Sequence, residues 1–273
     1  MIAINSSVPS RPSQSRLAIK DMIDGSLGTS IWLQFAWQDI KQRYRRSIIG
    51  PLWITISMGV MVGAMGPLYG TLLNQPKGSY FQYLATSLVI WSFISGQIVD
   101  ACTAFIAAEG FIKEVKMPLT VHLLRGIVKN IIIFGHNFLI VALVLLFYPP
   151  AQFKTMLVLP ISLFLLMLNL SWIAFLLSTL TTRFRDITQT VASIMQMAFF
   201  LTPVVWNRNV LTDSGWVADA NILFHYMEII RAPLLGHYPP TLTWVVVSVV
   251  GVFGWVITFF LFARFRSRIP YWI

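Results

Sequence analysis

Asp100 and Lys129 of this 273-residue chain carry charge inside long apolar runs, well away from the run ends nearest the middle of the chain's second gap. An unpaired charge near the centre of a bilayer costs about 2.5–3.5 kcal/mol or more. Counted outward from a hairpin tip near residue 114, they stand 14 and 15 positions away on antiparallel helices. They are therefore expected to meet, or to face a hydrated pathway together. Little else could do covalent chemistry. Group transfer on sugars needs several convergent acids or histidines, and Asp100 is the only carboxylate within an apolar run. His122, His136, His225 and His237 sit on different elements without metal-ligand spacing, and Cys102 is a lone small packing residue. No Gly-Lys dipeptide occurs, so there is no phosphate-binding loop and no unaided ATP hydrolysis. No catalytic residue, metal or cofactor is expected in this chain.

A second group is suited to contact instead of chemistry. The segment 108–120 carries Glu109, Lys113, Glu114 and Lys116 around Phe111, Val115 and Met117, and Pro118 closes it. Such a short amphipathic tip on a helical hairpin is either a handle for a soluble partner or an ordinary solvated loop.

The elements holding these groups are six apolar runs, Pro51–Leu72, Tyr83–Ile106, Val121–Phe147, Thr155–Leu180, Ile187–Trp206 and Leu242–Ala263. Each can cross a hydrocarbon core of about 30 Å, which takes about 20 residues at about 1.5 Å rise. The expected fold is all-α, a polytopic membrane protein with six transmembrane helices. Of its 20 lysines and arginines, only Lys77, Lys154, Arg208 and Arg231 fall outside the termini and the second and fourth gaps with their flanks. Basic short loops stay in the cytoplasm, which puts both termini inside and matches an even span count.

At 56% hydrophobic and 11% charged, the chain leaves little material for a soluble domain. One membrane domain, 29–273, is expected after a disordered cytoplasmic leader, 1–28, that lacks the apolar core of a signal peptide. A net charge of +10 could suggest nucleic acid. The cations hug the ends of the runs, however, where anionic lipid headgroups account for them.

Before the first run, Ile31–Ser47 has a helical pattern with Trp32, Phe35, Ile40 and Tyr44 on one side and Lys41, Gln42 and Arg45 opposite. It reads as an amphipathic helix in the cytoplasmic headgroup layer, with Asp39 and Arg43 spaced to pair on its surface. Gly59, Gly63, Gly66 and Gly70 permit close approach on the first span, within the subunit or at a two-fold seam. After the fifth run, Asn221–Leu235 is too short and too charged to span, and is expected to dip into or lie on the outer leaflet.

Three strings carry a family resemblance: Gln38-Asp39-Ile40-Lys41-Gln42-Arg43-Tyr44-Arg45-Arg46-Ser47-Ile48-Ile49-Gly50-Pro51-Leu52-Trp53; Arg183-Phe184-Arg185-Asp186-Ile187 with the later Phe199-Phe200-Leu201-Thr202-Pro203 and Trp206; and the tail Arg264–Ile273. Together they resemble the permease subunits of bacterial ABC exporters (type-2 permeases) that move lipid-linked polysaccharide such as O-antigen, capsule or teichoic acid. The family often has Asn-Pro where this chain has Asn221-Ile222.

The resemblance implies two copies of this subunit in the inner membrane with two copies of a separate ATPase that binds ATP and Mg. The ATPase would dock on Glu109, Phe111, Lys113, Glu114, Lys116, Met117 and Pro118. It implies an undecaprenyl-pyrophosphate-linked glycan as substrate, with Arg43, Arg45 and Arg46 receiving the pyrophosphate through guanidinium forks. Aromatic faces hold sugar C–H surfaces without fixing one pose, which makes Trp32, Phe35, Tyr44, Phe199, Phe200 and Trp206 candidate path or gate residues. The segment 221–235 would be an external re-entrant helix. A drug or lipid exporter of the same superfamily, and a membrane-embedded polyprenyl-sugar transferase, are the alternatives.

Overall fold

The computed structural model describes residues 13–43, 45, 49–50, 52–208 and 215–273, and these are helical with no strand among them. In chain order the helices are α1 (Gln14–Leu27), α2 (Thr29–Arg43), α3 (Leu52–Leu72), α4 (Lys77–Thr103), α5 (Glu109–Glu114), α6 (Leu119–Phe147), α7 (Leu159–Arg183), α8 (Asp186–Leu201), α9 (Gly215–Asp219), α10 (Ile222–Leu234), α11 (Thr241–Phe265) and α12 (Ile269–Trp272). Five stretches are long and apolar enough to cross a membrane: Leu52–Leu72, Gly78–Thr103, Leu119–Phe147, Phe153–Arg183 and Thr241–Trp272. The chain is a multi-pass membrane protein.

The fifth apolar run of the sequence differs from expectation. Its helix, α8, is 16 residues and stops at Leu201 instead of reaching Trp206. Pro203 explains the stop, because it has no N–H to continue the ladder and pushes Thr202 out of the helical region, where its ψ is 139°. At about 1.5 Å per residue α8 is about 24 Å long.

Hydrogen bonds define the two ends of the bundle. At the basic end, α1, α2, α5, α12, the start of α6 and the ends of α7 and α11 gather. At the opposite end the Tyr80 hydroxyl donates to Val205 O at 2.9 Å, Gln82 Nε2 to Pro149 O at 2.9 Å, and Thr155 Oγ1 to Pro233 O at 2.8 Å. α8 begins beside Arg183 at the basic end, and the 202–206 turn that follows it is bonded to Tyr80 and Tyr83 at the other.

The leader is not irregular throughout. Residues 14–27 form α1, with Ser13 Oγ accepting from Arg16 N at 3.3 Å as an N-cap. The helix is held from outside itself by Asp21, whose side chain is fully buried. Pro118 starts α6 and leaves its first amides without helical partners. Leu119 N and Thr120 N donate to the Asp21 carboxylate at 3.1 and 3.0 Å, and Arg266 Nε reaches it at 2.8 Å. Residues 14–27 are thus helical where composition suggests disorder, because α1 is ordered by a distant helix terminus, not by its own apolar face. Asp21→Ala is expected to destabilise the basic end by about 1–3 kcal/mol, since buried donors and Arg266 lose their acceptor. Hydrogen exchange at residues 14–27 rising together with that of 119–121 would be the signature.

Helix packing in lipid gains little from hydrophobicity, so small residues and interhelical hydrogen bonds decide it. Trp172 of α7 lies flat against Gly254 of α11, where an added Cβ would sit 2.2 Å from the ring. Asn169, fully buried, joins three helices: its Nδ2 donates to Val247 O at 3.1 Å and its Oδ1 accepts from Tyr226 Oη at 2.9 Å and from Trp172 Nε1 at 3.1 Å. On α3, Gly59, Gly66 and Gly70 each receive a side chain of this same chain, while Gly63 faces open space. α4 is the central helix, with Leu84, Ala85, Val89, Ile94 and Cys102 all at 0% exposure. Cys102 is a packing residue, as its sequence setting implied.

α10 packs against α4, α7 and α11 and buries almost every residue from Phe224 to Leu234. It starts with Asn221 as N-cap, its Oδ1 accepting from Leu223 N at 2.9 Å. Ile222 thus takes the first helical position, which a proline would also suit.

Candidate functional site

Two adjoining cavities run along one side of the bundle and share Met58, Met61, Ser92, Gly96 and Asp100 as a common wall. The first, about 440 Å³ between α3, α4 and α6, carries polar groups: Arg43, Ser57, Asn130 and Asn137 beside Asp100. The second, about 710 Å³ between α3, α4 and α8, is lined by Trp91, Met195, Phe199 and Phe200 with Gln196. Trp91 meets Phe199 edge-on at 5.8 Å, and Phe199 meets Phe200 edge-on at 5.3 Å. The groove therefore starts polar near Arg43 and turns aromatic along α8.

Asp100 stands where the two parts join. Lys129 Nζ lies 2.8 Å from Asp100 Oδ2, so the structure brings the two intramembrane charges together. Asp100 opens onto the groove, and the pair is partly exposed, at 22% for the Lys129 side chain and 38% for Asp100. One turn away Asn130 Nδ2 donates to Gln97 Oε1 at 3.1 Å. Asn137, two turns on from Asn130 along the same face of α6, is buried, and its Oδ1 has no partner. An unpaired buried carbonyl lining a cavity within a bundle attracts water or a ligand hydroxyl. The seven-residue spacing of Asn130 and Asn137 inside an apolar run was the sequence signal for this face.

The α5 tip is the second feature. Glu109 and Lys113 pair at 2.6 Å across one helical turn, and that hydrogen bond together with the ammonium's charge holds the Glu109 carboxyl below the usual carboxylate range. Lys113 also donates to Ile273 O at 2.8 Å, tying the tip to α12. Glu114, Lys116 and Phe111 are exposed, while Met117 and Pro118 are half-buried where the chain enters α6. Phe111 packs on Phe35 of α2 at 5.3 Å, and the Arg125 guanidinium covers Phe35 at 5.4 Å. Arg125 in turn grips Asp39 with two parallel hydrogen bonds, the Nε one at 2.6 Å. Asp39 is thus engaged across helices by Arg125 and does not pair with Arg43 on the surface of α2.

The other expected site residues divide as follows. Arg43 lines the groove, and Arg45 is exposed on the turn after α2. Arg46 and Tyr44 lie outside the described residues. Trp32 and Phe35 do not reach the groove: Trp32 Nε1 donates to Ser26 O at 3.4 Å at the α1–α2 corner, and Phe35 is fixed under Arg125. Trp206 sits past the end of α8, its indole donating to Phe200 O at 3.1 Å. It borders the opposite end of the bundle instead of lining the groove.

At that end the sequence reading missed a buried cluster. Arg231 is 3% exposed, and its Nε donates to Glu228 Oε2 at 2.9 Å. Its Nη1 donates to Tyr83 Oη at 2.8 Å, Ser87 Oγ at 3.1 Å and Pro203 O at 2.6 Å. The Tyr83 hydroxyl bonds Pro203 O at 2.8 Å and Trp206 O at 2.7 Å. One guanidinium thereby joins α4, α10 and the turn that ends α8, beside a cavity of about 590 Å³. The Glu228-x-x-Arg231 spacing was visible in the sequence. Its partner Tyr83, 148 residues away, was not.

No group of His, Cys, Asp and Glu suited to a metal occurs among the described residues. An elongated groove with one ion pair and no reactive cluster can conduct or hold a ligand. The ABC-2 type transporter family matches residues 32–235, from α2 to the end of α10. The chain belongs to that family. This ABC-2 membrane subunit is similar to an O-antigen export system permease protein RfbA of Klebsiella pneumoniae, 21% identical over 240 residues that make up 84% of this chain and 88% of that protein. A second Klebsiella pneumoniae RfbA is 21% identical over 68% of the chain and 73% of its own length, and an RfbA of Myxococcus xanthus 19% over 65% and 68%.

Proposed function

We propose that this ABC-2 subunit is the permease of an exporter that carries polysaccharide on an undecaprenyl-pyrophosphate anchor across the inner membrane of a bacterium, with ATP hydrolysed by a separate subunit. The observation that carries the reading is the groove, joined to the similarity to RfbA proteins, one of them over 84% of the chain. A polar start with a guanidinium suits an anionic headgroup, and an aromatic continuation suits sugar faces sliding past without one fixed pose. Arg43 and Arg45, with Arg46, receive the pyrophosphate, and Phe199 and Phe200 line the glycan path.

In this reading α8 is the fifth of six crossings. It starts just past Arg183 at the basic end, and the turn that follows it is bonded to α4 at the other; a slightly thinned bilayer accommodates its length of about 24 Å at modest cost. Both termini and the α5 tip face the cytoplasm, supported by the gathering of lysines and arginines at the basic end. α9 and α10 form the external re-entrant pair, whose buried backbone is satisfied by protein. Two copies of the chain flank the path. The ATPase, present twice, docks on the α5 tip, whose movement reaches α2 through the Phe111–Phe35 contact and α6 through Arg125.

The test is co-purification with the ATP-binding subunit encoded nearby and assay of the complex in lipid. Loss of this chain is expected to leave finished glycan on the cytoplasmic side, and normal surface glycan in its absence would refute the proposal. Phe111→Ala is expected to leave assembly intact while lowering transport-coupled ATPase activity about tenfold, comparable with removing a well-packed interface aromatic. An unchanged rate would remove the α5 tip from the coupling route.

A further inference from the structure

At the basic end, away from the groove, the last turn of α7, the end of α11 and α12 enclose a cleft of about 280 Å³. Arg183 and Arg268 line it, with Leu180, Phe184, Phe265 and Trp272 as the apolar part. Both arginines are exposed, and neither has a carboxylate partner among the described residues. No acidic residue lines the cleft. Two neighbouring arginines are instead paired with carboxylates: Arg125 holds Asp39, and Arg266 holds Asp21. Arg183 is nonetheless oriented, because its guanidinium stacks 5.6 Å from the Trp272 ring, and Trp272 in turn leans on Phe265 at 5.5 Å.

We infer that this cleft binds the phosphodiester headgroup of an anionic phospholipid, gripped between Arg183 and Arg268, with the acyl chains running along α7 and α11. Each guanidinium carries five donors in a fixed fork that matches phosphate oxygens. Two forks lining one cleft, with no protein acceptor among the described residues, leave that requirement to an outside anion. The aromatic and leucine surface beside them favours a ligand with an apolar body over free phosphate, and basic pockets between transmembrane helices hold anionic headgroups in this way. A bound lipid would brace α12, which also receives the α5 tip through Lys113. The inference rests on the chain spanning a membrane and not on what it exports, so its test reads lipid binding alone.

The full chain, stripped of lipid in detergent, is titrated with dioleoyl-phosphatidylglycerol and, separately, with dioleoyl-phosphatidylcholine, with bound lipid counted by native mass spectrometry. The expected result is one phosphatidylglycerol site whose affinity falls at least about tenfold, ~1.4 kcal/mol, in Arg183→Gln/Arg268→Gln. Arg183→Lys/Arg268→Lys is expected to fall between the two, and Arg264→Gln, which lies outside the cleft, to match wild type. The double variants are first shown to melt with the parent protein. Equal phosphatidylglycerol binding by the double glutamine variant overturns the inference. So does equal retention of phosphatidylcholine, or displacement of the lipid by inorganic phosphate at matched concentration, which would make the cleft a plain phosphate site.

Discussion

Glu228→Leu is expected to destabilise the protein by about 3–5 kcal/mol. The reason is what it leaves behind. Arg231 is 3% exposed and fully enclosed by α4, α10 and the turn after α8, so removing its carboxylate strands a buried charge. The wild-type pair itself contributes far less than that figure, because desolvating two charges offsets most of their attraction. The double variant Glu228→Leu/Arg231→Met is therefore expected to recover most of the lost stability, while Arg231→Met alone falls between them since Glu228 is partly exposed at 19%. Thermal unfolding of purified protein in detergent, run as a double-mutant cycle, reads this directly. A Glu228→Leu protein melting with the wild type would mean that Tyr83, Ser87 and Pro203 suffice to hold the guanidinium.

The second large effect concerns Asp100 and Lys129, and it separates folding from transport. Asp100→Leu leaves Lys129 without its partner inside a span, a cost of about 2.5–3.5 kcal/mol that partial exposure of the pair reduces. Protein abundance in membranes is expected to fall several-fold. Neutralising both residues, Asp100→Asn with Lys129→Gln, removes the stranded charge and restores abundance. If the pair marks the change from polar to aromatic groove, export by this restored protein is still expected to fall about tenfold, ~1.4 kcal/mol at the transition state. Full export by the doubly neutral protein would reduce the pair to a packing device between α4 and α6.

The arms of a helical hairpin are antiparallel, so residues equally far from its tip come level, and Asp100 and Lys129 accordingly lie 2.8 Å apart. Five spanning helices were readable for the same reason: the bilayer demands a long unbroken apolar run, and that demand is written locally. The same local rule overextended the fifth run, because Pro203 acts on backbone hydrogen bonding while leaving hydrophobicity untouched. Site residues were less legible. Phe199 and Phe200 line the groove, but Phe35, equally aromatic, is engaged by Phe111 and Arg125. Nothing in a residue's type says which neighbour claims it.

Amino-acid order by itself thus determined that the chain is a helical membrane protein with basic residues gathered by segment, that its sequence holds no Gly-Lys phosphate-binding loop, and that Asp100 and Lys129 stand at matching distances from one hairpin tip. Those features follow from solvent and period, which act residue by residue. Tertiary structure alone decided that Asp21 orders α1 by capping α6, that Arg231 knots three elements together, and that Arg43 and Asp100 open onto one continuous groove. Each of these joins residues tens to hundreds of positions apart, and such a contact is favourable only after both helices are in place.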